Sequence, residues 1–62
     1  MMTEDKLLTT KELATLLGCS EYTIVQYRVH ANGPKFVRLG RLIRYRPEDV
    51  RAWLMSNIYD AK

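Results

Sequence analysis

Positive charge is concentrated in the middle of this 62-residue chain, where residues 22–46 carry six basic side chains and no acidic one. The segments before and after it carry net charges of −2 and −1. The basic residues are Arg28, Lys35, Arg38, Arg41, Arg44 and Arg46. A soluble surface usually mixes both signs, so this pattern predicts a strip that faces a polyanion such as nucleic acid. A basic surface that serves only solubility is the alternative.

The other reactive residue types do not form a catalytic or metal-binding set. Cys19 is the single cysteine and His30 the single histidine, so neither an intramolecular disulfide nor a structural zinc site is expected. The sequence shows no phosphate-cradling loop and no nucleophile–base pair, and a chain this short has no room for a deep cleft. We therefore predict no enzyme activity, no cofactor and no metal, with Cys19 as a small buried apolar residue.

Length and apolar pattern predict one small domain, residues 1–62, with a core over about residues 7–56. No apolar run exceeds the four residues 52–55, so we expect no membrane span. The N-terminal residues lack the basic-then-apolar order of a signal peptide, which favours a cytoplasmic location.

Thr9 and Glu12 have the T-x-x-E spacing of a capping box, which predicts the beginning of a helix. Gly18 is a suitable residue to end it, so the helix should cover residues 10–17. Three leucines at i, i+3 and i+4 predict its core face: Leu13, Leu16 and Leu17.

A second helix is predicted from about residue 21 to residue 30, with Ser20 as its N-cap. Ile24 and Tyr27 should face the core. The Asn-Gly-Pro sequence at residues 32–34 ends the helix, because glycine permits a left-handed turn and proline forbids continuation.

Residues 36–45 predict a β-hairpin around Gly40. A two-residue loop at Gly40 and Arg41 would mix polar and apolar side chains on both faces. We favour a three-residue loop that begins at Gly40, because one face is then entirely apolar. Arg38 would lie opposite Arg44, and an anion bound between them would offset their repulsion.

Pro47, a favoured first helical residue, begins a third helix, and acidic side chains follow in its first turn. Its apolar stripe consists of Val50, Trp53 and Leu54. Trp53 is the largest apolar side chain, so we expect it to fill the centre of the core.

Two short helices joined by a three-residue turn with glycine are typical of a helix-turn-helix. A basic hairpin directly after the second helix indicates the winged form, which places the helix in the major groove of DNA and the wing along the backbone or minor groove. The predicted fold is mainly α with a small β-hairpin, a winged helix-turn-helix. A generic helical hairpin is the simpler alternative.

If Ile24 and Tyr27 face inward, the other side chains at the beginning of helix two face DNA. They are Ser20, Tyr22, Thr23, Val25 and Gln26. Gln26 is the candidate for a bidentate contact to adenine, and Tyr22 and Val25 are candidates for thymine methyl groups. Ser20 and Thr23 offer hydroxyls to phosphates or base edges.

Glu21 is expected to cap helix two rather than to contact cytosine. Arg28 is either a phosphate clamp or the partner of a carboxylate. The predicted wing contacts are Lys35, Arg38, Gly40, Arg41, Arg44 and Arg46. Lys35 and Arg46 are either phosphate contacts or solvated charges. Arg41 lies at the hairpin tip, where it can enter a minor groove.

Several segments together form a more specific pattern. They are 8–14 (LTTKELA), 17–20 (LGCS), 23–24 (TI), 27–28 (YR), 33–40 (GPKFVRLG), 43–45 (IRY), 49–50 (DV) and 52–54 (AWL). With them the chain resembles, over residues 7–54, the small excisionase-like, MerR-related winged helix-turn-helix proteins of phages, plasmids and integrated elements. Cys19 departs from the more usual valine, and Tyr27 from the common tryptophan.

The resemblance implies an excisionase, or recombination directionality factor, which acts in the bacterial cytoplasm on nucleoid DNA. Such a protein binds double-stranded DNA beside an attachment site, bends it and directs a partner integrase toward excision. Similar proteins of the AlpA type are transcriptional regulators, and the residues do not separate the two roles. A winged-helix protein-interaction module is the alternative from another functional class.

One recognition helix contacts only a few base pairs, so we expect several copies on one DNA rather than a free dimer. The acidic first segment and the basic wing have opposite charge. They predict a head-to-tail contact between neighbouring copies, which would form a short array along DNA.

Overall fold

The computed structural model describes residues 6–59, so most of the segment considered for a signal peptide lies outside the described residues. The elements are α1 (Thr10–Leu17), α2 (Glu21–Val29), β1 (Val37–Leu39), β2 (Leu42–Arg44) and α3 (Pro47–Met55). The strands pair as an antiparallel hairpin, hereafter the wing. Three helices and one hairpin in this order confirm the predicted winged helix-turn-helix fold.

The predicted capping box at the beginning of α1 is confirmed. The Thr9 hydroxyl accepts a hydrogen bond from the Glu12 amide at 3.0 Å, and the Glu12 carboxylate accepts one from the Thr9 amide at 2.9 Å. The hydrogen bond from the Thr9 amide lowers the pKa of Glu12, and nearby Lys6 lowers it further. The helix ends at Gly18, whose backbone is left-handed (φ 71°), so its predicted bounds are also correct.

Helix α2 begins as predicted, with the Ser20 hydroxyl accepting from the Thr23 amide at 3.2 Å, but it ends at Val29, one residue early. The expected left-handed glycine turn at Gly33 is wrong, because Ala31 takes that conformation (φ 57°). Gly33 is required for a different reason. A Cβ atom there would lie 2.9 Å from the Cβ of Tyr27, so only glycine permits this close approach.

Within residues 6–59 the core is a cluster of five buried side chains: Leu13, Ala14, Ile24, Tyr45 and Val50. Tyr45 is the largest of them and is 1% exposed. The prediction that Trp53 fills the centre is therefore wrong. Its ring packs edge-on against Tyr27 at a centroid distance of 5.4 Å, and its indole N–H donates to the Asn32 carbonyl at 2.8 Å. An indole N–H needs a polar partner, and this one lies at the edge of the core.

Two leucines predicted to face the core are exposed: Leu16 by 63% and Leu54 by 40%. They line a shallow, mainly apolar groove between α1 and α3, together with Leu8, Pro47, Val50 and one basic residue, Arg51. The i, i+3, i+4 pattern identifies an apolar stripe correctly, but a core of five side chains covers only part of it.

The register of the wing differs from the prediction. Its strands pair Arg38 with Ile43 and Leu39 with Leu42 across a two-residue turn, Gly40–Arg41. Gly40 has φ 64° at the first turn position, an arrangement that suits the right-handed twist of a hairpin. The turn preference prevails because Ile43 is the strand residue that packs against the core, so burial does little to sort apolar from polar side chains along the wing.

The wing is also attached to the beginning of α1. Leu8 and Tyr45 exchange two backbone hydrogen bonds, each 2.8 Å long, in an antiparallel bridge. The residue that precedes the capping box is thereby paired with the residue that follows β2.

The close approach at Gly33 can be tested by substitution. Gly33→Ala is expected to lower the free energy of unfolding by about 1–3 kcal/mol, because the added methyl group overlaps Tyr27. Ala31→Gly is the matched control. It relieves a left-handed alanine, so stability should be unchanged or raised by up to about 1 kcal/mol. Urea unfolding measures both, and a Gly33→Ala protein as stable as wild type would contradict the contact.

Candidate nucleic-acid interface

The beginning of α2 presents side chains to solvent, as predicted. Tyr22 is 71% exposed, whereas Ile24 is buried. Ser20 and Thr23 are also accessible, but their hydroxyls lie 3.1 Å apart and Ser20 accepts the Thr23 amide. The hydroxyl pair therefore stabilises the helix end, and its remaining hydrogen-bonding capacity points outward. Glu21 lies in the first turn, where its charge favours the helix dipole.

Val25 and Gln26 are half-buried on α2. The Gln26 side-chain oxygen lies 3.2 Å from His30 Nε2, so the two side chains form a hydrogen-bonded pair one helical turn apart. Sequence reasoning did not identify His30 as part of this surface. Its i+4 spacing from Gln26 was the available signal. The Gln26 oxygen keeps a second lone pair and its NH2 group is not used in this pair, so both ends of the amide can still contact a base edge.

Arg28 extends from α2 toward the wing. Its Nη1 atom donates to the Tyr45 hydroxyl at 3.0 Å, and its guanidinium carbon lies 5.8 Å from the centre of the Phe36 ring. The carboxylate partner considered for Arg28 is not found within residues 6–59, where a phenol takes that place. Tyr45 was expected in the core, but its contact with Arg28 was not predicted, because a partner 17 residues away leaves no local signal.

A cleft of about 420 Å³ lies between the C-terminal end of α2 and the loop that leads to β1. Arg28 and Lys35 are the basic side chains in its lining, and Phe36 forms part of its wall. The cleft therefore combines a guanidinium, an ammonium and an aromatic face at the junction of α2 and the wing. These groups are suited to contact a phosphate backbone.

The arginines of the wing surround the hairpin rather than line one face. Arg38 pairs with Ile43 and Arg44 with Val37, so the predicted opposition of Arg38 and Arg44 is wrong. Neighbouring residues of a strand point to opposite faces, so these two side chains lie on different sides. Arg41 is exposed at the tip, beside Gly40. Arg44 is half-buried and donates to the Ile43 carbonyl at 2.8 Å.

Arg46, which was predicted to contact DNA, is engaged within the protein. Its guanidinium donates two hydrogen bonds to Asp49, at 2.7 and 3.0 Å, and lies 3.5 Å from Glu48. The hydrogen bonds with Asp49 raise the pKa of Arg46 and lower the pKa of the Asp49 carboxyl. The i, i+3 spacing of these two residues was a sequence signal for this clamp, which stabilises the beginning of α3.

The basic residues of the segment 22–46 therefore fall into two groups, those in an ion pair and those free of one. Within the described part of the chain, Arg46 is the only one of its six basic residues in an ion pair. The five that are free of ion pairs there are Arg28, Lys35, Arg38, Arg41 and Arg44. They extend from the end of α2 to the tip and both faces of the wing, so positive charge surrounds the wing.

The described residues were also examined for a metal-binding cluster and for a membrane-spanning helix. Within residues 6–59 there is no group of three or more side chains that could hold a metal ion. None of the helices in that range has the length and apolarity that a membrane span needs.

A family model described as a helix-turn-helix domain matches residues 7–58, which is most of the chain. No curated protein and no solved structure gives a significant match.

Arg46 and Arg41 form a matched pair for separating structural from binding charge. Arg46→Ala is expected to lower the thermal stability, because it removes the clamp on Asp49, and to leave the salt dependence of DNA binding unchanged. Arg41→Ala is expected to leave stability unchanged and to reduce the slope of log K against log salt by about one. Thermal unfolding measures stability and salt titration measures the slope. A reduced slope in Arg46→Ala, with lowered stability in Arg41→Ala, would contradict these roles.

The Arg46–Asp49 clamp also predicts a pH dependence. The pKa of Asp49 is lower in the folded chain than its ordinary value, so its contribution to stability is present above that value and is lost as the pH falls through the folded pKa. Acid unfolding of wild type and Asp49→Asn should therefore converge at low pH. A stability difference that persists below the carboxyl range would contradict this role.

Proposed function

Because the chain belongs to the helix-turn-helix domain family, we propose that it binds double-stranded DNA sequence-specifically, with α2 in the major groove and the wing along the adjacent backbone or minor groove. The observation that carries the proposal is the surface of five basic side chains that are free of ion pairs within residues 6–59. It adjoins the outward side chains of α2, so one duplex can contact both.

The residue roles follow from this placement. Gln26, oriented by His30, contacts a base edge, and Tyr22 and Val25 contact thymine methyl groups. Ser20 and Thr23 contact the backbone at the beginning of α2. Around the wing, the positively charged groups of Arg28, Lys35, Arg38, Arg41 and Arg44 bind phosphates, and Gly40 allows the tip to approach closely. Arg46 is assigned a structural role instead, because Asp49 and Glu48 hold it.

At the finer level, we propose that the protein is an excisionase that binds near attachment sites, bends DNA and directs an integrase toward excision. The resemblance of residues 7–54 to the excisionase-like proteins supports this role. The same DNA contacts serve an AlpA-type transcriptional regulator. The two roles differ in where the protein binds on the genome and in what it recruits.

We also propose that several copies bind side by side. A single module buries only about 600–1,000 Å² on DNA, which is little for specific affinity at physiological salt. The acidic side of a head-to-tail contact is smaller than the sequence indicated, because Glu12 pairs with Lys6 and with its own capping box. The exposed groove that contains Leu16 and Leu54 offers additional contact area for a neighbouring copy.

DNA binding is tested by salt titration on a duplex that the protein selects from a random-sequence pool. If about four of the five free basic side chains contact phosphates, log K should fall against log salt with a slope near −4. A slope near zero would contradict DNA binding and favour the protein-interaction alternative, whose contacts would be insensitive to charge.

The role of Gln26 is tested by comparing selected and random duplexes. Gln26→Ala is expected to reduce discrimination at one base position by about 1–3 kcal/mol, because it removes a bidentate contact. His30→Ala, which leaves Gln26 in place but unsupported, should give a smaller loss at the same position. Equal losses on selected and random DNA would contradict a base contact.

Genome-wide occupancy in the native cells separates the two finer roles. An excisionase should concentrate beside the attachment sites of an integrated element and raise its excision when overproduced. Occupancy confined to promoters, with altered transcription and unchanged excision, would favour the regulator.

A further inference from the structure

The observed register places two leucines opposite each other at the end of the wing. Leu39 pairs with Leu42 directly beside the Gly40–Arg41 turn. Opposed residues of an antiparallel pair have Cβ atoms about 5 Å apart, so the two side chains form one apolar surface. They are 50% and 52% exposed.

This leucine pair does not contribute to the core. Leu39 and Leu42 are absent from the buried cluster and from the partly buried residues packed against it. Ile43, which does pack against the core, lies on the other face of the hairpin because neighbouring side chains alternate. The pair therefore lies on the far face of the wing, at its tip.

The charges around the pair identify the chemistry of what covers it. Arg41 lies in the turn between the two leucines, and Arg44 lies on the same face, two residues along β2. Arg38 extends from the opposite face. None of the three arginines forms an ion pair within residues 6–59. An apolar pair framed by uncompensated guanidinium groups complements a polyanion with an apolar interior, and a DNA groove is such a surface.

We propose that the Leu39–Leu42 pair is an apolar wedge that enters the minor groove of DNA and opens a base step there, while Arg41 contacts the groove. This inference rests on the proposed DNA-binding function and deepens it. A minor groove about 6 Å wide admits the tip of a hairpin, and narrow minor grooves attract arginine. Leucine is among the side chains that proteins insert between base steps, and such insertion kinks the duplex by about 20–90°.

The wedge supplies a physical cause for the proposed bending. Phosphate contacts by arginine fix the position of the wing but do not unstack bases. Unstacking requires an apolar surface that replaces the lost base–base contact, and in the wing this leucine pair is exposed beside the turn. The contribution of the leucines to DNA affinity should therefore be independent of salt, whereas the contribution of the arginines should fall as salt is raised.

The test compares a Leu39→Thr/Leu42→Thr double variant with wild type on the duplex selected from a random-sequence pool. Threonine favours strands, so the hairpin should be retained while its apolar tip is removed. Met55→Gln is the control, since it removes an exposed apolar side chain from α3, outside the wing and outside the groove that contains Leu16 and Leu54. Thermal unfolding establishes that each variant is folded, and a single Leu42→Thr variant replaces the double variant if that one unfolds.

Three measurements follow: the dissociation constant, the end-to-end distance of the duplex by energy transfer, and the fluorescence of 2-aminopurine placed at successive steps. Wild type should shorten the duplex and raise the fluorescence at one step. The threonine variant should bind roughly 10-fold more weakly, leave the duplex straighter and abolish the fluorescence rise, with an unchanged salt slope. The Met55→Gln control should retain the wild-type bend and fluorescence.

Unchanged affinity, bending and fluorescence in the folded threonine variant would overturn the wedge. A loss confined to cooperativity between copies, with unaltered binding of a single copy, would also overturn it and assign the pair to a contact with a second copy. If wild type itself shows no salt-dependent duplex binding, the proposed DNA-binding function fails first. If wild type binds and the wedge variant is unaffected, only the wedge fails.

Discussion

Burial of Tyr45 couples the parts of the molecule that are proposed to contact DNA. A buried phenol requires a hydrogen-bond partner, and the Tyr45 hydroxyl obtains one from Arg28 on α2. The Tyr45 backbone pairs with Leu8 just before α1, and its ring packs against Phe36 at a centroid distance of 6.1 Å. One side chain thus fixes the wing relative to both helices. The spacing between the outer face of α2 and the wing depends on these contacts.

The small size of the core explains much of the remaining surface. A core of five side chains covers only part of each apolar stripe, so leucines on α1, α3 and the wing are exposed. The exposed leucines occupy two separate places, the groove between α1 and α3 and the tip of the wing. One basic side chain, Arg51, lines the groove, whereas several arginines surround the tip. This difference in charge supports the proposals that the groove contacts a second copy and that the tip contacts DNA.

Whether a basic side chain keeps its charge available depends on its immediate neighbours as well as on its position in the chain. Arg46 and Asp49 neutralise each other at the beginning of α3, so one member of the basic segment is withdrawn from the interface. Arg28 is held instead by a neutral phenol and an aromatic ring, which fix its direction and leave its charge intact. A guanidinium that is oriented but not neutralised loses little side-chain freedom when it binds a phosphate.

The sequence by itself determined the features that arise within one helical turn. The capping box at Thr9 and Glu12, the Ser20 cap and the bounds of α1 follow from contacts between residues three apart, so they need no knowledge of the fold. The order of the helices and strands and the position of the basic segment could also be predicted from the sequence. The tertiary structure alone decided the partner of Arg28, the peripheral place of Trp53 and the register of the wing. These depend on which surfaces meet, and where the core ends, across residues far apart in the chain. A periodic pattern shows that a face is apolar, but only packing determines whether another element covers it.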